Sequence, residues 1–300
     1  MKKEYFMKKH TISLLTNLFL LLVCCPSIAA NDTFTLGVIA DCQYAEQANK
    51  GTRHYTSCPQ KLSTAVEQFN ALPLSGVLHL GDFIDRGFKS FTPLNTISSS
   101  LTAPLYHVLG NHEFSVDDKF KMRITNTLNM PSRYYSFEIN NWLFIALDGN
   151  DVSTYAWPKN SKKHQQNMTL FNSQYKGHED WNGAIGIKQL KWLEEKLKVA
   201  QIKEQPVVLL SHFPIFPENN HNLWNAQEVL ALVSKYPAVK AWFNGHNHVG
   251  NYAKKDGIHF VTFHAMLDTD TTAFSAVEFS PTQLKINGQG RQPSMVLAVK

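Results

Sequence analysis

Cysteine is scarce in this chain, four residues in 300, and two of them, Cys24 and Cys25, lie in an apolar N-terminal stretch. Once that stretch is removed, Cys42 and Cys58 alone remain. One disulfide is then the most the chain can form, and in an oxidising compartment it would close a loop for a gain on the order of 3 kcal/mol. Two buried thiols are the open alternative, because sequence separation says nothing about Cα geometry. A strong charge of one sign is lacking as well. Residues 1–30 carry four lysines and one glutamate, so the remainder holds 25 basic and 23 acidic residues, a formal charge of +2. No basic run survives that could track a phosphate backbone, which argues against nucleic acid as a partner. Repeats, low-complexity tracts and Pro/Gly/Ser linkers are also absent beyond residue 30, so one domain over residues 31–300 is the simplest organisation.

The chain also lacks the long apolar run of a membrane span. Lys2, Lys3, Lys8 and Lys9 precede the apolar segment Leu18 to Val23, which is followed by Pro26 and the small residues Ser27, Ala29 and Ala30. This order is that of a secretory signal peptide over residues 1–30. The stretch from Leu14 to Cys25 contains Thr16 and Asn17 and is short for crossing a bilayer. The expectation is an exported protein, periplasmic or secreted, without stable membrane association after cleavage.

Apolar, β-rich runs recur at Thr35–Ala40, Gly76–Leu80, Tyr106–Leu109, Trp142–Leu147, Val207–Leu210 and Val239–Phe243. Each ends at or just before polar residues, as expected of buried strands whose carboxyl ends carry the chemistry. Helical periodicity fills the intervals at Lys61–Ala71, Ile187–Val199 and Trp224–Val233. Towards the C-terminus Ile258–His264, Ala273–Phe279 and Gln283–Ile286 suggest successive strands of an antiparallel meander. The implied fold class is α/β (α+β), two packed β-sheets flanked by helices. Residues 149–182 break the rhythm, and a loop of that length in a compact domain is expected to form a wall or lid over the site.

Five short motifs lie at the ends of apolar runs: Asp41-Cys42-Gln43, Gly81-Asp82-Phe83-Ile84-Asp85-Arg86, Gly110-Asn111-His112-Glu113, Ser211-His212-Phe213-Pro214 and Gly245-His246-Asn247-His248. Singly each is weak, since a strand-terminal Asp is common and a lone His is usually structural. Together they offer Asp41, Gln43, Asp82, Asn111, His212, His246 and His248 as oxygen and nitrogen ligands. Such a set can hold two divalent cations side by side, the arrangement that activates water and clamps both oxygens of a phosphoryl transfer. Asp82 is the natural bridge, being anionic with two oxygens and following a glycine that lets the strand end turn. Alternation along Gly245-His246-Asn247-His248 is expected to put both histidines on one side of an extended segment. The donor mix suits Mn, Fe or Zn.

This ordered set resembles the calcineurin-like metallophosphoesterase superfamily over essentially the whole chain beyond residue 30. The superfamily's first motif is normally Asp-x-His, whereas Gln43 stands in the histidine's place here. In that respect, and at Gly37–Asp41, Gly51-Thr52-Arg53, Asn182-Gly183, Gln189–Leu193, Ser211–Pro217 and Gly288–Arg291, the chain resembles a narrower group, the manganese-dependent ADP-ribose/CDP-alcohol diphosphatases. An amide oxygen in place of an imidazole nitrogen favours Mn or Mg over softer ions.

The resemblance implies the calcineurin-like sandwich and two divalent ions, Mn foremost, with Mg, Fe or Zn as alternatives. One ion would be held by Asp41, Gln43, Asp82 and His248, the other by Asp82, Asn111, His212 and His246. It further implies a hydroxide held between the ions that attacks phosphorus in line, while His112 protonates the departing oxygen. Asp85 is expected to orient His112 and favour its cationic form. Asn111, His112, Arg86 and Arg53 are the candidate substrate contacts. Arg86 departs from the narrower group and could grip a phosphate in two places or be a surface charge. Phe216, Trp224 and Tyr252 could stack on a base, although core packing is the better expectation for each. The partner is then a small-molecule phosphate compound, a nucleotide derivative. A broad phosphomonoesterase or phosphodiesterase of the same superfamily is the alternative, and a non-catalytic, metal-dependent nucleotide-binding protein the remote one.

Overall fold

Period-two alternation within the central strands sorts their side chains to two faces, and the layers follow from it. The computed structural model describes residues 33–299 together with Met1, Lys3 and Glu4, so the signal peptide expected over residues 1–30 lies essentially outside the described residues. In β1 (Phe34–Ile39) the side chains of Phe34, Leu36 and Val38 face one core while Ile39 belongs to another. In β2 (Gly76–His79) Leu78 joins the first core and Val77 the second. The first core lies between two sheets, because the same cluster contains Phe144, Val208, Leu210 and Phe243.

The first sheet has the order β12-β11-β10-β1-β2-β3, with β3 at Leu105–His107, β10 at Ala273–Phe279, β11 at Gln283–Gly290 and β12 at Met295–Ala298. The second has the order β4-β5-β6-β7-β9-β8. Its strands are β4 (Tyr135–Ile139), β5 (Trp142–Ala146), β6 (Val207–Leu210), β7 (Val239–Asn244), β8 (Asn251–Lys255) and β9 (Ile258–Thr262). Helices cover the outer faces. The helix α1 (Cys58–Asn70), opened by Pro59, buries Leu62, Ala65, Val66 and Phe69 against the first sheet, together with Leu94 of α2 (Phe91–Ser98). The short helices α3 (Asp118–Lys121) and α4 (Ile124–Thr127) follow, and α5 (Lys162–Leu170) lies in the segment that lacked periodicity. Over the second sheet, α6 (Ile187–Ile202) buries Leu190, Leu193, Leu197 and Ala200, and α7 (Ala226–Val233) buries Val229, Leu230 and Val233. Two sheets flanked by helices is the fold class expected from the sequence.

Two expectations need correction. The strand at Ile258 does not join a meander with the next two: β9 runs parallel to β7 in the second sheet, whereas β10, β11 and β12 form the antiparallel run in the first. A change of sheet is invisible to a pattern that reports only alternation. Second, residues 149–182 are not without regular structure. Ser161 caps α5 by accepting a hydrogen bond from the His164 amide at 3.1 Å, and Asn167 is buried on that helix.

The parallel strands decide where chemistry can gather. β1, β2 and β3 are mutually parallel, as are β5, β6, β7 and β9. The turns that follow β1, β2, β3, β6 and β7 therefore meet at one edge of the sandwich, the place where open α/β sheets carry ligands. Cys42, in the first of these turns, is bonded to Cys58 at the start of α1, with the Cα atoms 5.4 Å apart. The alternative of two buried thiols is thereby set aside. Cys58→Ser should lower unfolding stability by about 3 kcal/mol, the chain-entropy value for a loop of this length. Chemical denaturation measures it, and an unchanged midpoint would mean that no bond forms.

Candidate metal centre

Four of the seven candidate ligands sit in the left-handed backbone region without being glycine: Asp41 at φ +52°, Gln43 at +47°, Asp82 at +56° and His246 at +69°. Each such residue costs on the order of 1 kcal/mol or more, a strain that persists where surrounding structure over-determines it. Here the first two turns determine each other. Asp41 N donates to Gly81 O at 3.1 Å, Gln43 N to Asp82 O at 2.9 Å and Tyr44 N to Phe83 O at 3.2 Å. Glu113, inside the third motif but not singled out from sequence, ties the second turn to the third. Its carboxylate accepts from Asp82 N at 3.0 Å, Phe83 N at 2.5 Å and Gly110 N at 2.7 Å. Burial, then the neighbouring Asp82, push the Glu113 carboxyl up to about 8.

The approach is close enough that Gly81, Gly110 and Gly245 admit no side chain. A Cβ at Gly110 would strike the Asp82 carboxylate, and one at Gly245 the Asp41 carboxylate. The expected extended run at Gly245–His248 is instead a turn: β7 ends at Asn244, and His246 turns left-handed while its amide donates to both Asp41 oxygens at 3.1 Å. Both histidines still reach the same cup.

Within the cup Asp82 divides its two oxygens. Oδ1 accepts from the His112 amide at 2.8 Å. Oδ2 lies 2.8 Å from Gln43 Nε2 on one side and 3.2 Å from His212 Nε2 on the other. Oδ2 alone therefore meets both neighbours, Gln43 and His212. On the His212 side, Nδ1 donates to Leu80 O at 2.8 Å, which leaves Nε2 facing Asn111 Oδ1 at 3.2 Å and His246 Nδ1 at 3.0 Å. His246 in turn donates from Nε2 to Asn182 Oδ1 at 2.8 Å, so its Nδ1 also presents a lone pair. Four acceptors thus converge, and one shared proton can serve only one pair of them. Ligand atoms of Asp82, His212 and His246 lie within 4.8 Å of one another, a spacing that suits a single cation.

On the Gln43 side, His248 Nε2 lies 3.2 Å from the Gln43 amide and 3.8 Å from Asp41 Oδ1, while its Nδ1 is 3.2 Å from Asp268 Oδ2. A carboxylate behind an imidazole is the usual support of a metal-bound histidine. Gln43 Oε1 is buried without a hydrogen-bond partner. Amide oxygen and nitrogen are assigned from their contacts, and exchanging them turns the oxygen towards Asp82 and His248, where a cation completes it. The donor set therefore fits divalent metal in both halves of the cup.

Electrostatics point the same way. Burial pushes Asp41 up to about 6 against the pull of His212 and His248. Burial acts on Asp82 too, but His212 and His112 outweigh it and hold the carboxyl well below the usual range. Burial works against charge on His212, yet Asp82 and Asp41 lift it to about 9. The carboxylates call for positive charge at this position.

The other expected residues divide. Asn111, His112 and Arg53 line the same cavity as Gln43, Asp82, His246 and His248, a space of about 320 Å³. Arg86 does not reach it. Its side chain is 64% exposed and Nε binds Asp85 Oδ2 at 2.7 Å. Asp85 touches His112 chiefly through its main-chain carbonyl, 2.8 Å from Nδ1, with the carboxylate at 3.4 Å. That carboxylate is occupied by Arg86 and by Gln47 Nε2 at 3.0 Å, so the expected charge pairing is the weaker of the two contacts. Phe216 and Trp224 pack against Phe260 and Tyr175 respectively, and Tyr252 against His259, all away from the cup. Trp181 and His221 stand at the wall instead, their rings 5.2 Å apart and 5.1 and 5.5 Å from His246. Neither was expected. Trp181 and Asn182 lie in the segment 149–182, which thus supplies a wall, and the Asn182-Gly183 pair was the one sequence signal for it.

The calcineurin-like phosphoesterase family matches residues 34–250 of the chain. A manganese-dependent ADP-ribose/CDP-alcohol diphosphatase from Homo sapiens is 29% identical over 89% of this chain and 93% of its own. One from Arabidopsis thaliana is 28% identical over 89% and 98%. Among solved structures, a dimetal phosphatase from Danio rerio superimposes with a TM-score of 0.80 at 24% identity, covering 89% of this chain and 99% of that one. With the fold, the convergent acceptors and a family match over most of its length, the chain belongs to the calcineurin-like phosphoesterases, hydrolases of phosphate esters or anhydrides that use divalent metal.

Proposed function

We propose that the chain splits the diphosphate linkage of nucleoside diphosphate derivatives of the ADP-ribose and CDP-alcohol kind, with two manganese ions in the cup, and that it does so after export. The observation that carries this reading is Gln43, a buried amide set between Asp82 and His248 where an imidazole would be the common choice. An amide oxygen makes one position harder, which suits manganese, and the relatives named for that metal and those substrates span nearly the whole chain. Export rests on the N-terminal lysines, apolar core and small residues alone.

Two divalent ions held by Asp41, Gln43, Asp82, Asn111, His212, His246 and His248 would lower the pKa of water and neutralise charge on the phosphoryl oxygens. The side chains do the rest. Asp85 O holds His112 Nδ1, which leaves Nε2 to give a proton to the departing oxygen. Arg53 supplies a cation at the rim for the second phosphate of a diphosphate. Trp181 and His221 offer ring faces against which a base can lie. Arg86, turned onto Asp85, gives no added grip to a simple monoester. GAP50, the anchor in the inner membrane complex of Plasmodium, shares the fold at a TM-score of 0.58 and 13% identity, so the fold does not by itself imply catalysis. The presence of His112 in the cup argues for it, since a binder has no use for a leaving-group acid.

Three outcomes are expected. The manganese-loaded protein from residue 31 onward releases AMP from ADP-ribose and CMP from CDP-choline. Release of inorganic phosphate from simple esters, with those two compounds untouched, would instead identify a broad phosphomonoesterase. Asp82→Asn binds fewer than two metal equivalents by elemental analysis and loses about 10³-fold or more in turnover, the scale of several kcal/mol. His112→Ala slows diphosphate cleavage by about 10²–10⁴-fold but spares an aryl ester whose departing phenolate needs no proton, and equal loss on both would remove His112 from the acid role.

A further inference from the structure

Lys61 is 6% exposed, and a lysine is seldom buried this far unless something holds it. All of its donating capacity goes to main-chain carbonyls of one loop. Nζ donates to Met266 O at 2.9 Å, Leu267 O at 3.3 Å and Thr269 O at 2.6 Å. The residue enclosed by these three is Asp268, whose Oδ2 stands 3.2 Å behind His248 and whose Oδ1 accepts from Thr52 Oγ1 at 3.1 Å. The same loop is paired with the ligand turns by its backbone. Met266 N donates to Ala40 O at 2.9 Å, Leu267 N to Asp41 O at 2.9 Å and Ala265 N to His248 O at 3.1 Å.

One turn earlier on the same helix, Cys58 is bonded to Cys42, the residue between Asp41 and Gln43. The opening turns of α1 therefore reach the supports of Asp41, Gln43 and His248. The His246 amide rests on the Asp41 carboxylate, but the side-chain supports of the other half have different origins. His212 is held by Leu80 O, His246 by Asn182, and the Asp82 and Gly110 amides by Glu113. None of these residues belongs to α1.

We propose that Lys61 and the Cys42–Cys58 bond are positioning elements chiefly for one metal position, that of Asp41, Gln43 and His248, and that the side chains of the Asn111, His212 and His246 position are set by supports outside their reach. Lys61 touches no ligand. It fixes the loop that fixes Asp268, which sets the ring of His248. The inference rests on the reading that the cup takes two ions.

Titration of metal-stripped protein with manganese, followed by calorimetry and by the electron paramagnetic resonance of the free ion, tests it. The parent protein should bind two ions. Lys61→Met and Cys58→Ser should each weaken one of them by about 10–100-fold, the usual effect of removing a histidine's support, and weaken the other by less than about 3-fold. Asp268→Asn, which conserves volume and folding, should give the same split. Combined with Lys61→Met it should add less than the sum of the two, whereas Asn182→Ala, on the His246 side, should add in full. A general loss of stability would weaken both ions together, so equal weakening, or no change in Asp268→Asn, overturns the proposal. Fewer than two ions in the parent protein would overturn the two-ion reading, and this proposal with it.

Discussion

One carboxylate oxygen, Asp82 Oδ2, faces the Gln43 amide on one side and the His212 imidazole on the other, and around that imidazole nitrogen, with Asn111 Oδ1 and His246 Nδ1 also close, acceptors outnumber donors. Buried acceptors without donors are costly, so such a cluster persists only where a cation or a proton completes it. The rest of the molecule is arranged around that demand. The partner oxygen Oδ1 is occupied by the His112 amide, which prevents the carboxylate from turning and keeps Oδ2 in place.

Holding such a cluster requires backbone strain, and the fold supplies the restraint. Left-handed turns at Asp41, Gln43, Asp82 and His246 are locked by hydrogen bonds between neighbouring turns and by the three amides that converge on Glu113. Behind the cup, the parallel strands end in layers whose side chains interlock on both faces, so the turns cannot move apart without disturbing the cores. Stability and chemistry are therefore coupled at the strand ends: the strain is local, and the sheets and α1 bear it. Asp268 behind His248 and Asn182 behind His246 show the same principle at the level of single contacts.

Much of this was legible in the residues themselves. The central strands were marked by short apolar runs, and the ligands by their place at the ends of those runs. Helices α1, α6 and α7 announced themselves by periodicity, whereas α5 did not, because its only large apolar residues are Met168 and Leu170 in its last turn and its order comes from the Ser161 cap and from Asn167 bonded to Asp151 O. The sheet change at β9 was hidden for a different reason, since alternation is identical whichever sheet a strand joins. Trp181, His221 and Asp268 were missed because no spacing ties them to the motifs. They are neighbours of the cup only through the path of the chain.

The amino-acid order by itself determined which groups could bind metal, that an amide replaces one imidazole, and that the layers would be sheets covered by helices. These properties are local, depending on side-chain chemistry and on a period of two or 3.6 residues. Only the tertiary structure decided that Oδ2 of Asp82 meets both Gln43 and His212, that Arg86 turns onto Asp85 and away from the cup, and that Cys42 meets Cys58. Those are distances between atoms far apart in the chain, fixed by the packing of the two sheets and by the strained turns at their edge, and no pattern within a short window of sequence contains them.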